Sequence, residues 1–275
     1  MQDLARRFLV GKVRATFNDP AQGERPVERR SDGLLGPHSV PWRVHGDVTT
    51  MMVGGISALL LQMLHPAVLG GVWDHSNFRA DMHGRLRRTA RFIALTTYGG
   101  RDEALQAIER VRSIHEQVRG ELPDGTAYSA TDPELLTWVH VTETLSFLDA
   151  WIRFAEPNMS AADQDRYFAQ VAIVAEHLGA RDVPTSRAAT LRKIRHIRPQ
   201  LRADNRTRKV AALVLEKAKY SAMDTVPLGL MQQAAVDLLP GWARRLHRLP
   251  SSGLSRPLVS GGTFALAGML RWAFR

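Results

Sequence analysis

Residues 51–73 read MMVGGISALLLQMLHPAVLGGVW, 23 positions without a formal charge, and the way this run is housed sets the architecture. Its length alone would suit a bilayer, which takes about 20 apolar residues. Its contents point elsewhere. Gly54, Gly55, Gly70 and Gly71, together with Gln62, His65 and a mid-run proline, weaken a membrane span, and Pro66 breaks any helix at the His-Pro step. The run therefore reads as a buried core helix that stops before Pro66.

Downstream the spacing stays helical. From Asp102 to Val118, Ala104, Ile108, Val111, His115 and Val118 recur on one face while the opposite face is charged, which turns His115 inward, and Gly120 reads as the stop. Thr131-Asp132-Pro133-Glu134 opens a helix to about Phe154, with a capping residue, a first-turn proline and acids at the positive end of the dipole. His140 shares a stripe with Leu136, Thr144, Phe147 and Trp151, so it also faces the interior. Ser160 with Asp163 starts another helix and Gly179 stops it. Further helices are expected at about 186–197, 204–222, 229–247 and 260–273. No stretch alternates with period two between hairpin turns, and no internal repeat is present. The fold class is all-α, a single large helical domain.

The 275 residues divide into an irregular N-terminal arm (1–46), a helical domain (47–240) and a basic amphipathic segment packed on it (241–275). Pro20, Pro26, Pro37 and Pro41 mark the arm. Residues 1–16 lack the apolar run and cleavage site of a secretory leader, so a cytoplasmic location is expected. Hydrophobic residues at 44% and charged residues at 23% exclude a disordered or collagenous chain. With no cysteine, disulfides, iron–sulfur clusters, thiolate-ligated haem and thiol nucleophiles are excluded, and any metal must be held by His, Asp, Glu or Tyr. The net charge is +10, carried mostly by arginine, a balance compatible with nucleic acid, an anionic membrane or an acidic cofactor.

Four of the ten histidines lie between residues 65 and 115, beside arginines and a threonine. Arg85 and Thr89 are one turn apart on one helix face, a guanidinium and a hydroxyl suited to an acidic cofactor edge or bound oxygen. A buried neutral imidazole at His115 or His140 suits a metal ligand and equally suits a hydrogen-bonded core histidine. HExxH, paired Glu-x-x-His, GxSxG, GxGxxG and the P-loop are all absent, and Glu143, three residues after His140, offers only a weak di-iron signal.

The ordered set LLLQMLHPAVLGGVWDHSNF (59–78), GRLRRT (84–89) with Tyr98-Gly99, IHEQVRG (114–120) and YSATDPELLTWVHVTET (128–144) resembles the catalytic domains of rubber oxygenases (latex-clearing proteins) and mpaB oxygenases, over roughly residues 45–200. That resemblance implies a helical fold around haem b, with a histidine on the iron and dioxygen as co-substrate. By matching positions, His115 is the iron ligand, Arg85 and Thr89 line the haem pocket in catalytic roles, and His140 is a second pocket histidine. His65-Pro66 and His75-Ser76 are also family-like and are read as structural. One departure concerns the residue before the pocket threonine, a lysine in rubber oxygenases and Arg88 here; arginine stays protonated and cannot ligate iron.

The resemblance thus implies a haem-dependent oxygenase that takes a small apolar or isoprenoid-like substrate. A different reading is a non-catalytic helical haem- or lipid-binding protein at a membrane surface. It is motivated by the chain after Asp237, where there is no acid and where six arginines interleave with Trp242, Phe264, Trp272 and Phe274. The same segment also reads as a helix packed on the body with solvated arginines. The basic run 187–208 lacks any nucleic-acid motif, and no nucleic-acid partner is expected.

Overall fold

A computed structural model describes residues 24–216 and 222–274, together with Arg6, Arg7 and Gly11. Most of the first part of the arm, residues 217–221 of the helix expected to reach 222, and Arg275 lie outside the described residues. The architecture is all-α apart from one two-stranded ribbon.

Two helices form its centre: α2, which follows the short α1 (Val40–Val44) and spans Val48–Gln62, and α6 (Pro133–Phe154). Asp47 caps α2 by accepting from Thr50 N, and Asp132 caps α6 by accepting from Glu134 N with Pro133 at the first position. Gly54 permits their close approach, since a Cβ there would lie 2.8 Å from the Phe147 ring and 2.9 Å from Ser146 O. Trp138, Leu148, Leu60 and Leu64 are sealed in the core around them. The chain turns at His65, and α3 (Pro66–His75) leaves α2 at 104°. His65 Nε2 meets Gln200 Oε1 at 3.2 Å while Nδ1 is buried without a partner, and His75 Nε2 meets Arg119 O at 3.1 Å, so both rings tie distant segments together rather than bonding locally.

Next come α4 (Met82–Tyr98) and α5 (Arg101–Glu116), packed side by side across the Gly99-Gly100 turn. The last part of the arm clasps this turn: Arg30 N donates to Tyr98 O, Arg101 N donates to Asp32 O, and Arg29 lies over the Tyr98 ring at 4.7 Å. Two short strands follow, β1 (Arg119–Glu121) and β2 (Ala127–Ser129), antiparallel with Gly120 opposite Tyr128. The remaining helices are α7 (Ala161–Leu178), α8 (Arg187–Ile197), α9 (Asn205–Val214), α10 (Ala222–Leu238), α11 (Gly241–His247) and α12 (Arg256–Phe274). Gly179 ends α7 at φ +103°, a left-handed conformation that favours glycine.

Several boundaries differ from the sequence expectation. The helix expected to run 229–247 is two helices, because Pro240 cannot continue α10 and instead becomes the N-cap of α11. The helix expected to close at Gly120 ends at Glu116, and Gly120 lies in β1, where a Cβ would meet the Tyr128 hydroxyl at 2.7 Å. Strands of three residues are too short to show alternation, which is why the ribbon was not anticipated. The last helix starts at Arg256 rather than 260, and α9 ends at Val214. It is anchored to the core: Arg271 Nη1 donates to Asp47 Oδ2 at 2.8 Å, so the last helix reaches the cap of α2.

Candidate active site

α4 is the helix that carries the motif GRLRRT. Asp81 caps it by accepting from Gly84 N at 2.7 Å, and of its residues with described side chains only Gly84, Thr96, Thr97 and Tyr98 are buried. Arg85 is half-buried and Nη1 donates to Ser76 Oγ at 2.7 Å. Burial, and then the neighbouring charge of Arg88, holds the Arg85 pKa below its ordinary value. A desolvated cation whose partner is a neutral hydroxyl is suited to an anionic group. One turn on, Thr89 is exposed and its hydroxyl donates to Arg85 O at 3.1 Å, leaving its lone pairs as acceptors. Arg88 points out, 3.3 Å from Asp81.

His115 sits in the last turn of α5, half-buried, on the stripe that begins with buried Ala104 and Ile108. Nδ1 is buried without a hydrogen-bond partner, and burial lowers the pKa, so the ring is neutral at pH 7. His140, on α6, is buried, Nε2 is likewise unpartnered, and desolvation pushes its pKa down to about 4. Both imidazoles therefore meet two conditions for a ligand, neutrality and an unengaged ring nitrogen, which His65 and His247 share, each with Nδ1 buried and unpartnered. Among the described residues no three His, Asp or Glu side chains are grouped to hold a bare metal ion. An iron that brings its own four nitrogens needs far less from the protein, one or two imidazoles, and the residues present fit that requirement.

One turn after His140 lies a group of residues that sequence reading did not assemble. Glu143 is half-buried, and desolvation raises its carboxyl to about 7. Its charge is felt by Tyr167 of α7, a buried phenol held well above its ordinary pKa chiefly by desolvation. The Tyr167 hydroxyl is 2.9 Å from His45 Nε2, and His45 Nδ1 is 2.8 Å from Thr97 Oγ1 at the end of α4. His45 packs edge-on against Phe147 at 5.6 Å, and burial takes its pKa to about 3. Glu143 and His45 retain some accessible surface yet are desolvated enough to shift their ionisation. Glu143 was visible as a neighbour of His140; His45 lay in a segment read as an arm, and its partners are 52 and 122 residues away.

A separate, mostly apolar recess of about 160 Å³ opens on the far side of α6, lined by Leu61, Leu145, Asp149, Ile194 and Trp242 among others. None of Arg85, Thr89, His115 or His140 lines it. The basic run 187–208 is largely tied to the body: Arg187 to Asp149, Arg202 to Asp124, and Arg198 over Trp242. Among the described residues no single helix is long and apolar enough to cross a membrane; α2 and α3 together would be, but for their bend.

No curated protein and no solved structure matches the chain. Residues 42–272 match the family described as ER-bound oxygenase mpaB/B'/rubber oxygenase, catalytic domain, a span that runs well past the 45–200 suggested by motifs and takes in α12 up to Trp272. The chain belongs to the mpaB/rubber oxygenase catalytic-domain family.

Proposed function

We propose that the protein is a haem b-dependent oxygenase acting with dioxygen on an apolar or isoprenoid-like alkene. The observation that carries this reading is the pair of neutral imidazoles, His115 and His140, each with a buried, unpartnered ring nitrogen, in a member of an oxygenase family. Haem, when bound, supplies a redox-active iron for dioxygen chemistry, which no side chain in this cysteine-free protein offers.

His115 is the residue assigned to the iron, because it is neutral and half-exposed, whereas His140 is enclosed within the core and suits a supporting place beside the pocket. Arg85 holds an acidic edge of the cofactor, its charge already desolvated. Thr89 offers a hydroxyl one turn away. Glu143 is the group able to hold or release a proton near neutral pH. Behind it, Tyr167, His45 and Thr97 form a bonded set that fixes the two rings in place.

The test is turnover. Cleavage of a carbon–carbon double bond by one dioxygen gives two carbonyls, one oxygen atom in each, with no outside reductant. Haem-loaded protein given squalene or a short polyisoprene oligomer under isotopically labelled dioxygen is expected to consume oxygen and yield labelled carbonyl products. Oxygen uptake and product no greater than with free haem would overturn the reading, and stoichiometric haem without turnover would favour a non-catalytic haem-binding protein.

A further inference from the structure

We infer that the outward face of α12 is a docking surface for a lipid bilayer with anionic headgroups. Every exposed residue from Pro257 to Phe274 is apolar. Leu258, Phe264, Met269 and Trp272 are 77%, 49%, 45% and 45% exposed, and Leu254, in the turn that leads into the helix, is fully so. Among the described residues the only large apolar side chains exposed elsewhere are Ile114 and Leu191.

After Arg256, the polar residues of α12 are turned the other way. Ser260 Oγ accepts from Arg153 Nη2 at 2.8 Å, the buried Thr263 hydroxyl donates to Val259 O, and Arg271 binds Asp47 and Phe154 O. At about 100° per residue, Leu258, Gly261, Ala265, Met269 and Trp272 fall on one arc of the helix and Ser260, Thr263 and Arg271 on the arc opposite, with Phe264 at the boundary, where the Arg271 guanidinium lies 5.9 Å from its ring centre. A surface helix ordinarily has the reverse arrangement. Leaving such a stripe in water is costly, and an apolar patch of this kind marks a binding face.

Charge selects the occupant. From Leu238 to the end the chain has six arginines and no Asp or Glu, and Arg245, Arg248 and Arg256 are exposed just before or at the start of α12. A second copy docking face to face would set these cations near one another, whereas lipid phosphates oppose them. The helix is about 28 Å long and packed along its inner side on α2 and α10, so it would lie in the membrane plane. Trp272 is the kind of side chain that settles at the headgroup level.

Flotation of the full-length protein with vesicles tests this. The protein is expected to float with phosphatidylcholine vesicles containing phosphatidylglycerol, less with phosphatidylcholine alone, and L258E/W272E is expected to lose at least about tenfold in binding with an unchanged melting temperature. Brominated acyl chains are expected to quench the tryptophan emission of the parent protein and not that of W272F, a variant that keeps the apolar face even if the glutamates disturb folding. Absence of flotation with either vesicle, equal flotation of L258E/W272E, or a dimer that L258E/W272E dissolves in a protein that ignores vesicles would overturn the proposal. None of these outcomes depends on haem, so this inference and the oxygenase reading fail separately.

Discussion

α6 and α4 are comparable helices, 22 and 17 residues long, with opposite surroundings. Along α6, buried Trp138, Val141, Leu145 and Leu148 form one stripe while buried Thr142, Thr144, Ser146 and Phe147 lie on the other sides, so neighbours surround it. α4 has a wet flank of arginines, half-buried Leu86 and Ile93 against the core, and full burial only at Gly84 beside its cap and at Thr96, Thr97 and Tyr98 next to the arm. The candidate residues divide between these environments: His140 and Glu143 stand on the enclosed helix, Arg85 and Thr89 on the wetter one, and His115 on α5, the helix packed beside it. An element with less buried side-chain surface is where a ligand adds most order.

Truncation separates the two helices most sharply. Trp138→Ala on α6 is expected to cost about 3–5 kcal/mol, because it empties a fully buried site, while Leu86→Ala on α4 is expected to cost about 1 kcal/mol. Thermal unfolding followed by circular dichroism measures both, and equal losses would erase the distinction.

Next in size is a pH effect on α6. The Glu143 pKa is raised to about 7 in the fold from about 4.5 when unfolded, so its stabilising contribution is complete below pH 4.5 and disappears as pH climbs through 7. Glu143→Gln is therefore expected to gain stability above pH 7, by up to about 3 kcal/mol, and nothing at pH 4. The histidines run the other way. His45 and His140, with folded pKa values of about 3 and about 4, stabilise the fold above 6.5 and lose that contribution as pH falls toward those values. Urea titrations from pH 4 to 9 should show the alkaline limb flatten in E143Q while the acid limb remains; an unchanged alkaline limb would contradict a desolvated Glu143.

Haem at about a hundredfold above its dissociation constant is expected to add about 2.7 kcal/mol and to slow amide exchange in α4 and α5 more than in α6. Uniform protection would mean that the two helices do not differ as described. The smallest effect belongs to Arg88→Ala. Its ion pair with Asp81 is solvated on both sides, and the expected change in unfolding free energy is under about 0.5 kcal/mol.

The well-packed half of the molecule was also the legible half. Asp132-Pro133-Glu134 announces α6, Gly179 ends α7, and Pro66 divides the uncharged run into α2 and α3, because capping and proline chemistry act within a few residues. His140 is buried and His115 half-buried on the stripes read from helical periodicity, which is likewise set within one helix. Contacts between distant segments were hidden. Periodicity cannot reveal that His45 joins Tyr167, nor that Glu143 loses its water in their company, since burial of one acid is a property of the assembled fold. The tail was half legible: arginines and aromatics mark an amphipathic helix, but only packing tells that Arg271 turns in and Trp272 out.

The central claim, that His115 holds haem, is tested most directly by the absorption spectrum of protein expressed with haem supplied, with haem quantified as the pyridine haemochrome. A Soret band with about one haem b per chain, lost in His115→Ala and kept in Arg88→Ala, is the expected result. An unchanged band in His115→Ala, or no band and no binding on haem titration, would contradict the account.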